Sequence, residues 1–331
     1  AVLRMAGRPA EAAAAFRRAA EGFSVAERAA DRGAALFNLG LVQREGGDPE
    51  AALAALEEAR PLLPAGAGTA TAVAREVGVT LLTLGRLDEA AAELTESIRL
   101  AQSAADPAAL GWAANALGLT ELARGRPDHA AAAFRDAAAA HPRTIRPDGF
   151  ATAQANLALA MERSAAPTRS RFAARQALAT PGAPEPVRRQ AAELLARIGD
   201  DPGVILAILD EEPTAGWPAV LRQELAVWTT TTERDRHRLA GAWLAGVTGR
   251  PDAGEVVEHW LGAVLELPPA GTAVVLDALM RAVAGADETV ADRFRNLVAR
   301  ALPRYPIPQW TRLSALLDRA AGAAGVPVGW G

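Results

Sequence analysis

Apolar residues recur along this chain at the three- and four-residue intervals of an amphipathic helix, and Gly–Pro punctuation cuts the rhythm into helix-length segments. In the stretch from Leu36 to Pro64, Leu36, Leu39 and Val42 recur at helical spacing, and Gly40 offers a place where a neighbouring helix can approach closely. Gly46-Gly47 then makes a turn, followed by Asp48 as N-cap and Pro49 at the first helical position. The carboxylate accepts N–H groups that a helix start leaves unpaired, and Pro gives up only a donor that was unpaired already. Ala52, Leu56 and Ala59 stripe one face of the second helix, and Pro61 and Pro64 end it. The pattern predicts two helices joined by a tight turn.

That pair recurs. GRPAEAAAAF from Gly7, GDPEAALAAL from Gly47, GRLDEAAAEL from Gly85 and GRPDHAAAAF from Gly125 begin 40, 38 and 40 residues apart. A fixed period of this size marks a stacked repeat architecture, in which each unit buries its apolar face only against its neighbours. Gly40, Ala52, Leu56, Ala59 and Pro64 stand where the tetratricopeptide-repeat family has its small residue, its Ala and large apolar positions and its closing Pro. The next unit has Gly78, Ala90 and Leu94, with Ser97 and Gln102 in place of Ala and Pro. The following one has Leu117-Gly118, Ala130, Phe134, Ala137 and Pro142. A fifth, degenerate unit keeps Asn156-Leu157-Ala158 and Ala177 but has Ser170 and Ala174, and the first offers only a second helix with Ala12, Phe16 and Ala19. Over residues 1–182 the chain thus resembles a tetratricopeptide-repeat protein, and its long period is similar to that of kinesin light chain and of bacterial signalling proteins. The resemblance implies an all-α, right-handed helical solenoid whose first helices line a concave wall.

The incomplete first unit and the absence of an initial Met give the expectation that residues 1–331 are part of a longer polypeptide or a trimmed product. A segment near 186–198, with Val187, Ala191, Leu194, Leu195 and Ile198 on one face, is expected to cap the stack. After Asp200-Asp201-Pro202 the texture changes, since six of the seven Trp lie beyond this point. The sequence therefore divides into a repeat domain, 1–199, and an all-helical C-terminal domain, 200–331. Helices are expected near 204–211, 217–230, 233–246, 252–266, 270–285, 288–301 and 308–324, with Thr232 and Asp235 forming a variant capping box.

Composition removes several chemistries. There is no Cys, which excludes disulfides, thiolate metal sites and a Cys nucleophile. All 35 basic residues are Arg, so Schiff-base and P-loop lysine chemistry are excluded too. A net charge of −4 argues against a nucleic-acid partner, and the acidic excess lies in residues 200–331, with 12 Arg against 17 acidic residues. No apolar run reaches the ~18 residues of a membrane span, and AVLRMAGRP is too short and too soon polar for a secretory signal. The default compartment is cytoplasmic. The Gly66-Ala67-Gly68 stretch follows no strand and reads as a connecting loop, with no phosphate cradle.

No reaction centre stands out. Glu255 and His259 are one helical turn apart, but HExxH is absent and no third ligand is placed, so neither metal nor cofactor is expected. Arg143, Arg146, Arg163, Arg169, Arg171 and Arg175 form a basic cluster that reads either as a solvated face or as a contact for an acidic peptide or phosphate. By the family resemblance, residues beside the small position point into the groove: Phe37 and Asn38, Arg75 and Glu76, Trp112 and Asn115, and Asn156, with Arg44 one turn further along. An Asn there can offer both donor and acceptor to a peptide backbone, and Trp112 supplies an apolar anchor. Asn38 has the alternative of satisfying a neighbouring helix turn.

The leading expectation is a non-catalytic scaffold or sensor module that binds a protein or peptide in the groove and regulates an attached or separate effector. A second reading is an oligomerisation scaffold that self-associates or docks through residues 200–331. A third is an enzyme with a site among the C-terminal helices, drawing on Asp235, His237, Glu255 or His259.

Overall fold

A computed structural model describes residues 8–64 and 66–330. Gly7, where the first repeat begins, and the residues before it lie outside the described part. Among the described residues there is no strand, and the chain is all-α. It divides into two compact units, Ala1–Ala165 and Ala166–Gly331.

The first unit holds α1 (Pro9–Val25), α2 (Ala29–Glu45), α3 (Pro49–Ala59, continued by a 3-10 turn Arg60–Leu62), α4 (Ala67–Thr83), α5 (Leu87–Ser103), α6 (Pro107–Ala123), α7 (Pro127–Ala140) and α8 (Pro147–Arg163). Gly66-Ala67-Gly68, expected as a loop, instead opens α4, with Gly66 extended at its N-cap. Helix starts use the predicted chemistry. Asp48 accepts from the Ala51 N–H at 3.1 Å, and Asp106 from the N–H groups of Ala108 and Ala109 at 3.0 Å. The helix ends repeat one geometry: Gly47, Gly85 and Gly125 sit at φ +85°, +74° and +72°. The next residue's N–H then reaches back five residues at 2.9 Å, from Asp48 to Gln43, from Arg86 to Leu81 and from Arg126 to Glu121. Only Gly enters this left-handed region without a steric cost, which is why Gly recurs with the repeat.

Within each pair the helices are locked by a small residue against a large one. A Cβ on Gly40 would lie 2.7 Å from Leu56 Cγ, on Gly78 2.6 Å from Leu94 Cγ, and on Gly118 2.5 Å from the Phe134 ring. Leu56, Leu94 and Phe134 are fully buried. Ser97, where the family has Ala, is buried and donates its hydroxyl to the Thr71 carbonyl at 2.9 Å, tying α5 to α4. Besides these pairs, α2, α4, α6 and α8 touch one another in succession, while α3, α5 and α7 make no comparable approach. A stack whose one row is close and whose other row is splayed curves towards the close row. In this unit α2, α4, α6 and α8 therefore form the concave side.

The second unit contains α9 (Pro167–Leu178), α10 (Glu185–Ile198), α11 (Val204–Glu211), α12 (Trp217–Thr230), α13 (Glu233–Thr248), α14 (Ala253–Leu265), α15 (Pro269–Ala284), α16 (Glu288–Ala301, then a 3-10 turn Leu302–Arg304) and α17 (Ile307–Ala324). From α11 onward, every boundary lies within two residues of the expected one. Thr232 caps α13 by accepting from the Asp235 N–H at 3.2 Å, but its hydroxyl donates to Asp235 Oδ2 at 2.7 Å, so the carboxylate meets the Thr232 side chain and the reciprocal half of a capping box, a bond from the Thr232 backbone N–H, is not made. After the sequential pair α9 and α10, most contacts are between next-but-one helices: α9, α11, α13, α15 and α17 form one row, and α12, α14 and α16 another. Aromatic side chains fill the space between the rows. Trp228, Trp260, Trp243, Phe294 and Trp330 make a continuous chain, with ring centroids 6.3, 4.8, 5.7 and 6.0 Å apart in that order. This explains why Trp is concentrated in the C-terminal part.

Candidate functional site

The inner helices of the first unit carry a side-chain row that follows from the repeat itself. The residue after each small position, Leu41, Val79, Leu119 and Leu159, is apolar and only partly covered. These four occupy one register on α2, α4, α6 and α8, so they form one rung per inner helix. On α6, Trp112, Asn115 and Leu119 share a face at i, i+3 and i+7. Among the described residues of this unit, apart from Val25 at a helix end and Ile145 in a loop, Trp112 and Leu119 are the large apolar side chains left exposed, at 36% and 37%. Isolated exposed apolar groups need no explanation, but a register-matched row on a concave face has the form of a docking surface.

Trp112 is supported from behind. His141 follows α7 and is fully buried, with its ring centroid 4.7 Å from that of Trp112. The imidazole fills a slot between Gly111 and Gly149, where an added Cβ would come within 2.3 Å and 2.6 Å of the ring. Neither ring nitrogen has a hydrogen-bond partner. Burial pushes the His141 pKa down, the charge of Arg146 adds to that shift, and Asp148 opposes it.

The expected groove residues are placed as follows. Arg44 and Arg75 converge on one buried carboxylate, Glu76, at 3.0 and 2.7 Å, so that an ion pair links α2 to α4. Asn156 on α8 donates to Asn115 Oδ1 on α6 at 3.0 Å, a lateral tie between inner helices that leaves the Asn115 amide N–H groups without a protein partner. Asn38 donates to the carbonyl of Ala34 in its own helix at 2.8 Å, and Phe37 is partly buried between two apolar clusters. Trp112 and Asn115 are thus brought together with Asn156, whereas Arg44, Arg75 and Asn38 are engaged within the protein. The apolar rungs and the His141 prop were missed in the sequence. The rungs had a signal, one apolar residue directly after each small one; the prop had none.

The other candidates are dispersed. Asp235 belongs to the α13 cap, Glu255 is exposed, and His259 meets Trp217 edge-on at 5.8 Å. Among the described residues no group of three or more His, Asp or Glu side chains could hold a metal ion. Of the basic cluster, Arg169 pairs with Glu211 and Glu212 at 2.7 and 2.9 Å, and Arg171 donates to the Ile198 and Gly199 carbonyls, both at 2.7 Å. Arg175 pairs with Glu224 at 2.9 Å, and burial pushes the Arg143 pKa down to about 10. Three of the six guanidinium groups are therefore internal fastenings of the second unit. No helix among the described residues is long and apolar enough to cross a membrane.

Residues 1–65 match the family model described as tetratricopeptide repeat. No curated protein matches the chain. Among solved structures, the Naa15/Naa10 complex bound to HypK-THB is 14% identical, with a TM-score of 0.26, over 98% of this chain and 55% of that one. The P58(IPK) TPR domain is 15% identical, with a TM-score of 0.24, over 96% of this chain and 94% of that one. The chain spans only about 55% of the length of the first.

Proposed function

We propose, from the match of residues 1–65 to the tetratricopeptide-repeat family model, that the first unit holds an extended segment of a partner protein along α2, α4, α6 and α8. The family fold is that of a protein-interaction scaffold, and the family is in general non-catalytic. The single observation that carries the reading is the row Leu41, Val79, Leu119 and Leu159, one partly exposed apolar side chain per inner helix, with Trp112 beside it on the same concave side. Packed helices lie ~8–10 Å apart. A polyproline-II segment repeats every three residues, or about 9 Å, so apolar groups at every third position meet successive rungs. Its backbone is otherwise solvated, and the free Asn115 amide donors supply a partner for a carbonyl. The module acts by holding that segment, either to assemble proteins or to control an effector to which it is joined or recruited.

The test is selection of 12-residue peptides from a random displayed library on the full chain, followed by anisotropy titration of the winners. The expected winners carry apolar residues three apart, and Trp112→Ala and Leu119→Ala each weaken them about tenfold, as a truncated interface anchor does. Unchanged affinity in both variants, with an unaltered circular-dichroism spectrum, overturns the groove assignment. Winners with an i, i+3, i+4, i+7 pattern that also lose affinity would replace the extended ligand with a helical one.

A further inference from the structure

Within the second unit lies a cleft of about 470 Å³ whose lining includes Arg250, Arg293, Arg300 and Arg304 and no acidic residue. This is a local inversion, because residues 200–331 carry 17 acidic side chains against 12 Arg. Arg293, Asn296 and Arg300 fall at i, i+3 and i+7 on α16 and so project from one face. Both of these arginines are exposed, and neither has an ion-pair or hydrogen-bond partner among the described residues. Of the other two cleft arginines, Arg304 is matched by Glu258 at 2.5 Å, and elsewhere in the unit Arg295 pairs with Asp292 at 2.8 Å and Arg281 with Asp277 at 2.9 Å.

The opposite wall is the start of α14. Asp252 stands at its N-cap but makes no capping bond, because its carboxylate is taken by Arg250 at 2.7 and 2.8 Å. Arg250 is itself fixed, with Asp210 at 2.6 Å on the other side. The first N–H groups of α14, at Ala253 and Gly254, are left without an acceptor, and a Cβ on Gly254 would meet only open space. Two unpaired guanidinium groups therefore face a helix N-terminus that lacks its cap.

We propose that this cleft binds a phosphomonoester dianion, free or carried on a side chain. Guanidinium groups present paired donors to phosphate oxygens, and the positive end of α14 adds a favourable field with N–H groups aimed outward. A carboxylate has one charge and two oxygens and leaves part of this donor set unused; a phosphomonoester has about two charges and three terminal oxygens. The volume exceeds what a bare phosphate needs and leaves room for the group that carries it. The inference concerns residues 250–304 alone and stands independently of the groove on the first unit.

Isothermal titration calorimetry of the full chain with inorganic phosphate, O-phosphoserine and glutamate tests it. Phosphate and phosphoserine are expected to give saturable binding, and glutamate none. Arg293→Gln and Arg300→Gln should each weaken binding about tenfold, the worth of a lost bond to a charged group, and Arg312→Gln, an exposed arginine outside the cleft, should leave it unchanged. Tighter binding of phosphoserine than of phosphate identifies a side-chain-borne ligand; equal binding identifies the free anion. Absence of saturable heat with both phosphates, equal binding of glutamate, or full binding by the double variant R293Q/R300Q with an unaltered circular-dichroism spectrum overturns the proposal.

Discussion

Replacing Arg175 with Met removes one half of an ion pair whose side chains are only 7% and 2% exposed. Glu224 Oε1 accepts from Arg175 at 2.9 Å and from the Trp228 indole at 2.9 Å, while its Oε2 has no partner. Arg175 also donates to the Asp201 carbonyl at 2.7 Å, and the next residue, Gln176, donates to the Gln223 carbonyl at 3.0 Å. Without the guanidinium, a buried carboxylate keeps one indole N–H as its sole donor, and breaking a buried pair in this way costs about 3–5 kcal/mol. In a unit of this size that lowers the melting temperature by about 10 °C. Removing both charges in R175M/E224L leaves no uncompensated ion, and such apolar replacements are often close to neutral. The double variant should therefore lie within about 2 kcal/mol of the parent, far less than the sum of the two single losses. Urea titration followed by tryptophan fluorescence reports this selectively, because Trp112 alone among the seven lies in the first unit. Losses that add to within about 0.5 kcal/mol would refute the reasoning and reduce the pair to an ordinary surface contact.

Two further effects are expected in the first unit. Ala105 and Ala165 occupy the left-handed region at φ +50° and +56°, so Ala105→Gly and Ala165→Gly should each stabilise by about 0.5–1 kcal/mol; thermal melts that fall or do not move would contradict this. The His141 pKa is lowered by burial from the ordinary 6.5, so the unfolded chain takes up the proton first, and stability is full above about pH 6.5 and declines as pH falls from there towards the lowered folded value. His141→Phe keeps a flat ring and should remove that slope; parallel urea midpoints for parent and variant from pH 7 to 5, read by circular dichroism, would show that another group is responsible.

Much of the helical framework was legible because it rests on local rules. Asp48 with Pro49, the Gly at each turn, and Thr232 with Asp235 act within a few residues of one another, and a neighbourhood that small can be read directly. The small-to-large locks were legible for a related reason, since Gly40, Gly78 and Gly118 and their partners recur at one offset in three successive units. What escaped depends on residues far apart in the chain. Arg169, Arg171 and Arg175 looked like part of a solvated basic face, yet their acceptors lie 26 to 49 residues away. These bonds join α9 to α11 and α12, so the contacts divide the chain at 165/166, whereas the change in composition falls near 200.

The candidate site divides along the same line. A repeat register identifies which positions face the concave side, and so Trp112 and Asn115 could be found without coordinates. Which of those side chains remain available is decided by the neighbouring repeat, since Asn156 bonds Asn115 from 41 residues away and Glu76 collects Arg44 from 32. Charged residues are the most easily captured in this way, because any opposite charge on the adjacent inner helix satisfies them at small cost. An apolar rung has no such internal partner to turn to. It stays partly exposed until something covers it, which is why Leu41, Val79, Leu119 and Leu159, though the least conspicuous residues of the repeat, carry more of the binding argument than the arginines beside them.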